Sequence, residues 1–111
     1  IGSGTGIAPF HSFVVTYPKL DYQILHGIRD SDEKYDYQDY DAKRYVACVS
    51  QKPSKGDYAG RVTNYLRDNP IKNNGNLICY ICGNSEMIND VYDILQDQGV
   101  NSSDIITEVF F

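Results

Sequence analysis

Apolar positions along this chain change period several times, and each change marks an element. Phe10, Phe13, Val14 and Tyr17 recur at helical spacing. They predict a helix from Pro9 to about Tyr17, closed by Pro18. Residues 22–28 form a short apolar run and predict a strand, with Arg29 just past its end. Residues 30–41 alternate Asp with Tyr and lack aliphatic periodicity. They predict a solvated loop with a short helix, its tyrosines on the surface. Residues 45–50 predict a second strand, and 53–60 a loop. A helix over 61–69 has Val62, Tyr65 and Leu66 on one face and ends at Pro70. Residues 72–76 predict a turn. Residues 77–82 are almost continuously apolar, the pattern of a strand covered on both faces. Asn84 or Ser85 caps a long helix whose face is Met87, Val91, Ile94 and Leu95, stopped by Gly99. Residues 105–111 predict a closing strand.

Strands alternating with helices define an α/β domain spanning 1–111. Its expected architecture is a parallel, doubly wound, Rossmann-like sheet of about five strands with flanking helices. Ile1 reads as the end of a central strand that is truncated. Such a strand would leave mid-sheet backbone groups unpaired, so the chain is expected to be a fragment.

In such sheets ligands gather beyond the carboxyl ends of the strands. Four features fall at such ends: the Gly4–Gly6 loop, Arg29, Ser50, and Cys82-Gly83. A glycine turn feeding a helix N-terminus offers free N–H groups and a positive dipole end, which suits a phosphate. The spacing is not G-x-G-x-x-G, whose last glycine falls on Ile7. It is not a P-loop either, since no Gly-Lys-Ser/Thr follows.

The 111 residues carry a net charge of −5. This disfavours a nucleic-acid partner and obliges a nucleotide site to place its own Arg or Lys. No apolar run reaches the ~20 residues of a membrane span. The three cysteines cannot all pair with one another, which favours a reducing, cytoplasmic setting. Cys79 and Cys82 form Cys-x-x-Cys inside a strand, and no second ligand pair exists for a metal. His11 and His26 are isolated and are assigned structural roles.

Four stretches resemble, in order and spacing, the nucleotide-binding half of ferredoxin–NADP reductases. They are Gly-Thr-Gly-Ile-Ala-Pro-Phe (4–10), His-Gly-Ile-Arg (26–29), Gly-Arg-Val-Thr-Asn-Tyr-Leu (60–66) and Cys-Gly-Asn-Ser-Glu-Met-Ile (82–88). The last two look more like the bacterial branch. The terminal Thr-Glu-Val-Phe (107–110) is similar to the Glu-Val-Tyr ending of plant-type members, with one extra residue after it.

The resemblance implies an FAD enzyme that moves a hydride between NADP(H) or NAD(H) and flavin, and single electrons to ferredoxin or flavodoxin. Gly4, Thr5 and Gly6 would cradle the pyrophosphate. Cys82 would line the nicotinamide pocket without covalent attack. Glu108 would stand at the flavin–nicotinamide junction, and Phe110 would take the place of an aromatic that covers the flavin. Pro9, Arg29, Arg61, Gly83 and Met87, in the matched stretches, and Ser50, at the end of the strand over 45–50, complete the expected binding set. Bland readings stay open: Cys82 as a small core residue, Glu108 facing solvent, and Phe110 in the core.

NADP-preferring members carry Ser-Arg where this chain has Ser50-Gln51, followed by Lys52. That weakens a guanidinium grip on a 2′-phosphate and leaves NADP and NAD both open. Nothing resembles the family's N-terminal flavin-binding barrel. The alternatives are the reductase module of an oxygenase or flavohaemoglobin, a non-catalytic nucleotide-binding regulatory domain, and a flavodoxin-like interaction domain.

Overall fold

The computed structural model describes residues 1–72 and 75–109, the last for its backbone alone. Six strands form one sheet: β1 (Gly2–Ser3), β2 (Ile24–Asp30), β3 (Tyr45–Lys52), β4 (Tyr58–Ala59), β5 (Cys79–Gly83) and β6 (Ile105–Val109). Their spatial order is β4-β3-β2-β1-β5-β6. Each adjacent pair is parallel. The helices are α1 (Ala8–Thr16), α2 (Val62–Asp68) and α3 (Ser85–Asp97).

Period-2 alternation sorts the strand residues onto two faces. Leu25, Cys48, Cys79, Ile81 and Ile105 pack with Val62 and Leu66 of α2 and Val91, Ile94 and Leu95 of α3. Ile24 and Cys82 pack with Phe10 and Val14 of α1 on the opposite face. The sheet is therefore doubly wound, as the strand–helix alternation predicts. β1 is only two residues long yet holds the centre. It pairs Gly2 with both His26 and Cys82, and the Cys82 amide donates to the Ile1 carbonyl at 2.9 Å.

Several local expectations are corrected. The sheet has a sixth strand, β4, inside the stretch read as loop. Arg29 lies within β2 rather than past it. Phe13 and Tyr17 are exposed, leaving Phe10 and Val14 as the buried stripe of α1. The strand at 77–82 begins at Cys79, and its two faces are unequal: Tyr80 stays 43% exposed. On α3 the fully buried set includes Ile88 in place of Met87. Tyr40 is buried, not superficial, because its ring stacks on Tyr45 at 5.3 Å between centroids. The turn expected over 72–76 and the end of the strand at 105–111 fall partly outside the described residues. His11 ties α1 to the segment between β2 and β3, its Nε2 lying 2.8 Å from the Asp39 carboxylate.

Candidate functional site

β1 runs directly into a 3₁₀ turn, Gly4–Ile7, and then into α1, whose first turn contains Pro9. The turn sits where the winding of the sheet reverses, between β2 and β5. Gly4 adopts φ +53° with open space where a side chain would be, so the position needs glycine for conformation. Gly6 needs it for space: a Cβ there would lie 2.7 Å from the Cys82 carbonyl oxygen. No side chain caps the 3₁₀ turn, which leaves its leading N–H groups for a ligand. The N-terminus of α3 differs. Asn84 caps it by accepting from the Met87 amide at 2.8 Å.

Beside this turn lies a cleft of about 820 Å³ at the carboxyl ends of the strands. Gly4, Thr5, Gly6, Arg29, Ser50, Arg61, Gly83 and Met87 all line it. Eight of the residues singled out from sequence, drawn from distant parts of the chain, therefore meet in one depression. Gln51 lines it as well.

Pro9, Cys82 and Glu108 line a second, narrower groove of about 140 Å³ with Phe10, Phe13, Tyr80 and Ile106. Cys82 and Glu108 are register partners on β5 and β6. Cys82 is buried, and burial, reinforced by the Glu108 charge, pushes its thiol pKa up. It is held as a thiol, suited to contact and not to nucleophilic attack. Glu108 is exposed. Phe110 lies outside the described residues. Cys79 packs on the α2–α3 face and Cys82 on the α1 face, so this pair is no redox dithiol.

Among the lining residues not anticipated from sequence, three are acidic. Glu33, Glu86 and Asp90 bring negative charge to the cleft. Glu86 and Asp90 are one helical turn apart on α3, a spacing that could have flagged them. Glu33 carried no such signal, because its side chain closes a local capping box by accepting from the Asp30 amide at 3.0 Å.

A glycine turn at the switch point of a parallel, doubly wound sheet defines the dinucleotide-binding class of α/β domain. The chain belongs to the oxidoreductase NAD-binding domain family, whose model matches residues 1–93. This bears out the resemblance drawn from the motifs. No curated protein matches the sequence.

Three solved structures share the fold. Cytochrome P450 reductase GcoB of Amycolatopsis is 21% identical with a TM-score of 0.77, over 98% of this chain and 36% of that one. The flavohem-like FAD/NAD-binding domain of nitric oxide dioxygenase from Vibrio cholerae is 17% identical with a TM-score of 0.70, over 98% and 48%. Flavohemoglobin from Malassezia yamatoensis, solved with FAD and haem, is 19% identical with a TM-score of 0.77, over 99% and 30%. The chain thus spans between about a third and a half of the length of these structures. Among the described residues no helix is long and apolar enough to cross a membrane.

Proposed function

We propose that this domain is the pyridine-nucleotide half of a flavin-dependent reductase. The carrying observation is the convergence of the glycine turn, Arg29, Ser50, Arg61 and Gly83 on one cleft at the carboxyl ends of the strands. The cleft fits a dinucleotide: a positive-φ glycine opens onto it, and two guanidinium groups line it. Gly4, Thr5 and Gly6 hold the pyrophosphate through backbone N–H groups, with the Thr5 hydroxyl as a further donor. Arg29, Ser50 and Arg61 receive the adenosine end, and Met87 and Gly83 form the opposite wall.

The nicotinamide, when bound, supplies a hydride to a flavin. Cys82 and Glu108, register partners on β5 and β6, line the groove that takes this end. The Cys82 thiol packs against the ring edge and orients it, and Glu108 supplies a carboxylate at the mouth. Orientation of this kind is worth several kcal/mol of the ~7–11 available from positioning. Exposed Phe13, Tyr80 and Ile106 rim the groove. They form an apolar surface suited to cover by the flavin-binding domain, where FAD would be held.

Electrons then pass to ferredoxin or flavodoxin. A second reading, the reductase module of an oxygenase or flavohaemoglobin system, is supported by the kinds of protein that share the fold. The domain works in either case as part of an oxidoreductase in a reducing cytoplasm.

Calorimetric titration with 2′-phospho-AMP and, separately, 5′-AMP tests the reading. Tighter binding of the 2′-phosphorylated ligand, lost in Arg61→Ala, is the outcome for an NADP enzyme. Equal or better binding of 5′-AMP means that Gln51 has turned the site toward NAD. Binding of neither to a folded sample would overturn the nucleotide reading.

A further inference from the structure

His26 is fully buried on β2, and each of its ring nitrogens has a partner. Nε2 lies 2.8 Å from the carbonyl oxygen of Gly4. Nδ1 lies 2.8 Å from the hydroxyl of Tyr45. A carbonyl oxygen can only accept, so the nitrogen facing it must carry the proton. The other nitrogen of the neutral ring then presents a lone pair, and the Tyr45 hydroxyl donates to it. The chemistry of the two partners thus selects one tautomer.

The contacts continue outward from the ring. Tyr45 is held face to face by Tyr40, with 5° between the ring planes, and Tyr35 packs at 6.3 Å from the imidazole. One network therefore links the 31–41 segment, β3 and β2 to the first residue of the glycine turn. That residue has a positive φ and no side chain to anchor it. The Gly4 carbonyl is the one point where the turn is fastened sideways to the sheet by a side chain among the described residues.

We propose that His26 is a positioning residue for the glycine turn. As the neutral Nε2–H tautomer it fixes the Gly4 peptide, and so aims the following N–H groups at the pyrophosphate. This rests on the reading of the turn as a pyrophosphate cradle. It goes beyond that reading by giving a buried side chain, which touches no ligand, control over the shape of the cradle. Burial favours the uncharged ring that the arrangement needs and outweighs the opposing pulls of the Gly4 carbonyl and of Glu33.

Two variants of similar size separate the roles of the two nitrogens. In His26→Gln the side-chain amide reaches the Nε2 position and can still donate to Gly4. In His26→Asn it reaches only the Nδ1 position and faces Tyr45. On the full chain labelled with ¹⁵N, imidazole nitrogen shifts at pH 7 should report the Nε2–H tautomer. Hydrogen exchange at the Ala8 amide, which donates to the Thr5 carbonyl across the turn, should stay near wild type in His26→Gln and quicken in His26→Asn. Calorimetry with ADP-ribose should give binding within about threefold of wild type for His26→Gln and about tenfold weaker for His26→Asn, the worth of one hydrogen bond.

A ring protonated on Nδ1 overturns the proposal, as does equal behaviour of the two variants. The tautomer readout needs no variant, so it decides even if His26→Asn fails to fold. If the wild-type protein ignores ADP-ribose while the tautomer and the exchange contrast hold, the cradle reading falls and the control of the turn by His26 stands.

Discussion

Gly6→Ala adds one methyl group at the point where the glycine turn leans on β5. That methyl would lie 2.7 Å from the Cys82 carbonyl oxygen, 3.0 Å from the Cys82 carbonyl carbon and 3.1 Å from Gly83 Cα. All three are backbone atoms, so no side chain can swing aside. The strand is also fixed at this residue, since the Cys82 amide donates to the Ile1 carbonyl. Relief therefore requires the turn to lift off the strand. Overpacking of this sort costs about 1–3 kcal/mol. Taking about 2 kcal/mol, the urea midpoint should fall by about 1 M and the melting temperature by about 8 °C.

Gly4→Ala is the informative companion. It meets nothing within 4 Å but must hold φ +53°, at a cost of about 1–2 kcal/mol from backbone strain alone. The assay is urea unfolding followed by circular dichroism, with 5′-AMP binding measured on the folded variants. Because the lifted turn no longer presents its N–H groups, Gly6→Ala should also lose nucleotide affinity. A midpoint within 0.2 M of wild type, with binding intact, would refute the claim that the turn is braced by β5.

Other perturbations read other parts of the structure. Leu95→Ala empties a fully buried site among α2, α3 and the sheet and should cost about 2–5 kcal/mol in the same urea assay. Burial lowers the His26 pKa from 6.5, with the Gly4 carbonyl and Glu33 acting in the opposite sense. The unfolded chain therefore binds more protons just below pH 6.5, and stability should be full above that value and fall as pH drops through it. Urea midpoints at pH 7.5 and 5.5 should show this slope, and His26→Gln should flatten it. The Asp57 side chain is covered and paired with Lys34 at 2.5 Å. Burial raises its pKa, but hydrogen bonds from Lys34, the Ser54 amide and Ser31 outweigh it, so the net shift is downward from 3.8. Lys34→Met should cost about 1–3 kcal/mol at pH 7, and its midpoint should converge on wild type as pH falls below 3.8 and Asp57 protonates in both proteins.

What could be read before the fold was known follows from how locally each feature is encoded. The helix over Ser85–Asp97 carries its cap, its acidic first turn, its buried stripe and its stop within a short span, so sequence suffices for it. The glycine turn is local too. β4 is not: it is two residues long, pairs only with Cys48 and Val49, and has no room for alternation to appear. Tyr40 could not be told from its surface-lying neighbours, because its burial depends on the face of Tyr45. His26 is the clearest loss. Its place in a matched motif was visible, but its bond to Gly4 spans two strands that only the sheet brings together. The cleft residues were legible because a parallel sheet directs the ends of β1, β2, β3 and β5 to one rim. The acidic members of that rim were missed because no motif names them.

The acidic balance of the chain is reconciled with an anionic ligand by where the cations are spent. Arg44 is tied to Asp21 at 2.6 Å, Lys34 to Asp57, and Lys52 lies 4.0 Å from Asp30. These pairs neutralise charge around the loops after β2 and β3. Among the described residues Arg29 and Arg61 make no ion pair, and both line the cleft. Net charge governs long-range attraction, which salt screens within about 8–10 Å. A phosphate seated in the cleft responds instead to the two guanidinium groups beside it and to the N–H groups of the turn. Glu33, Glu86 and Asp90 on the same rim oppose excess negative charge. They therefore favour a ligand with hydroxyl groups to donate over one with an added phosphate. On this argument Glu86→Gln and Asp90→Asn together should improve 2′-phospho-AMP binding more than 5′-AMP binding, and the gain should shrink as ionic strength rises. Equal gains for the two ligands would mean that these carboxylates act on the common phosphate and do not choose between the cofactors.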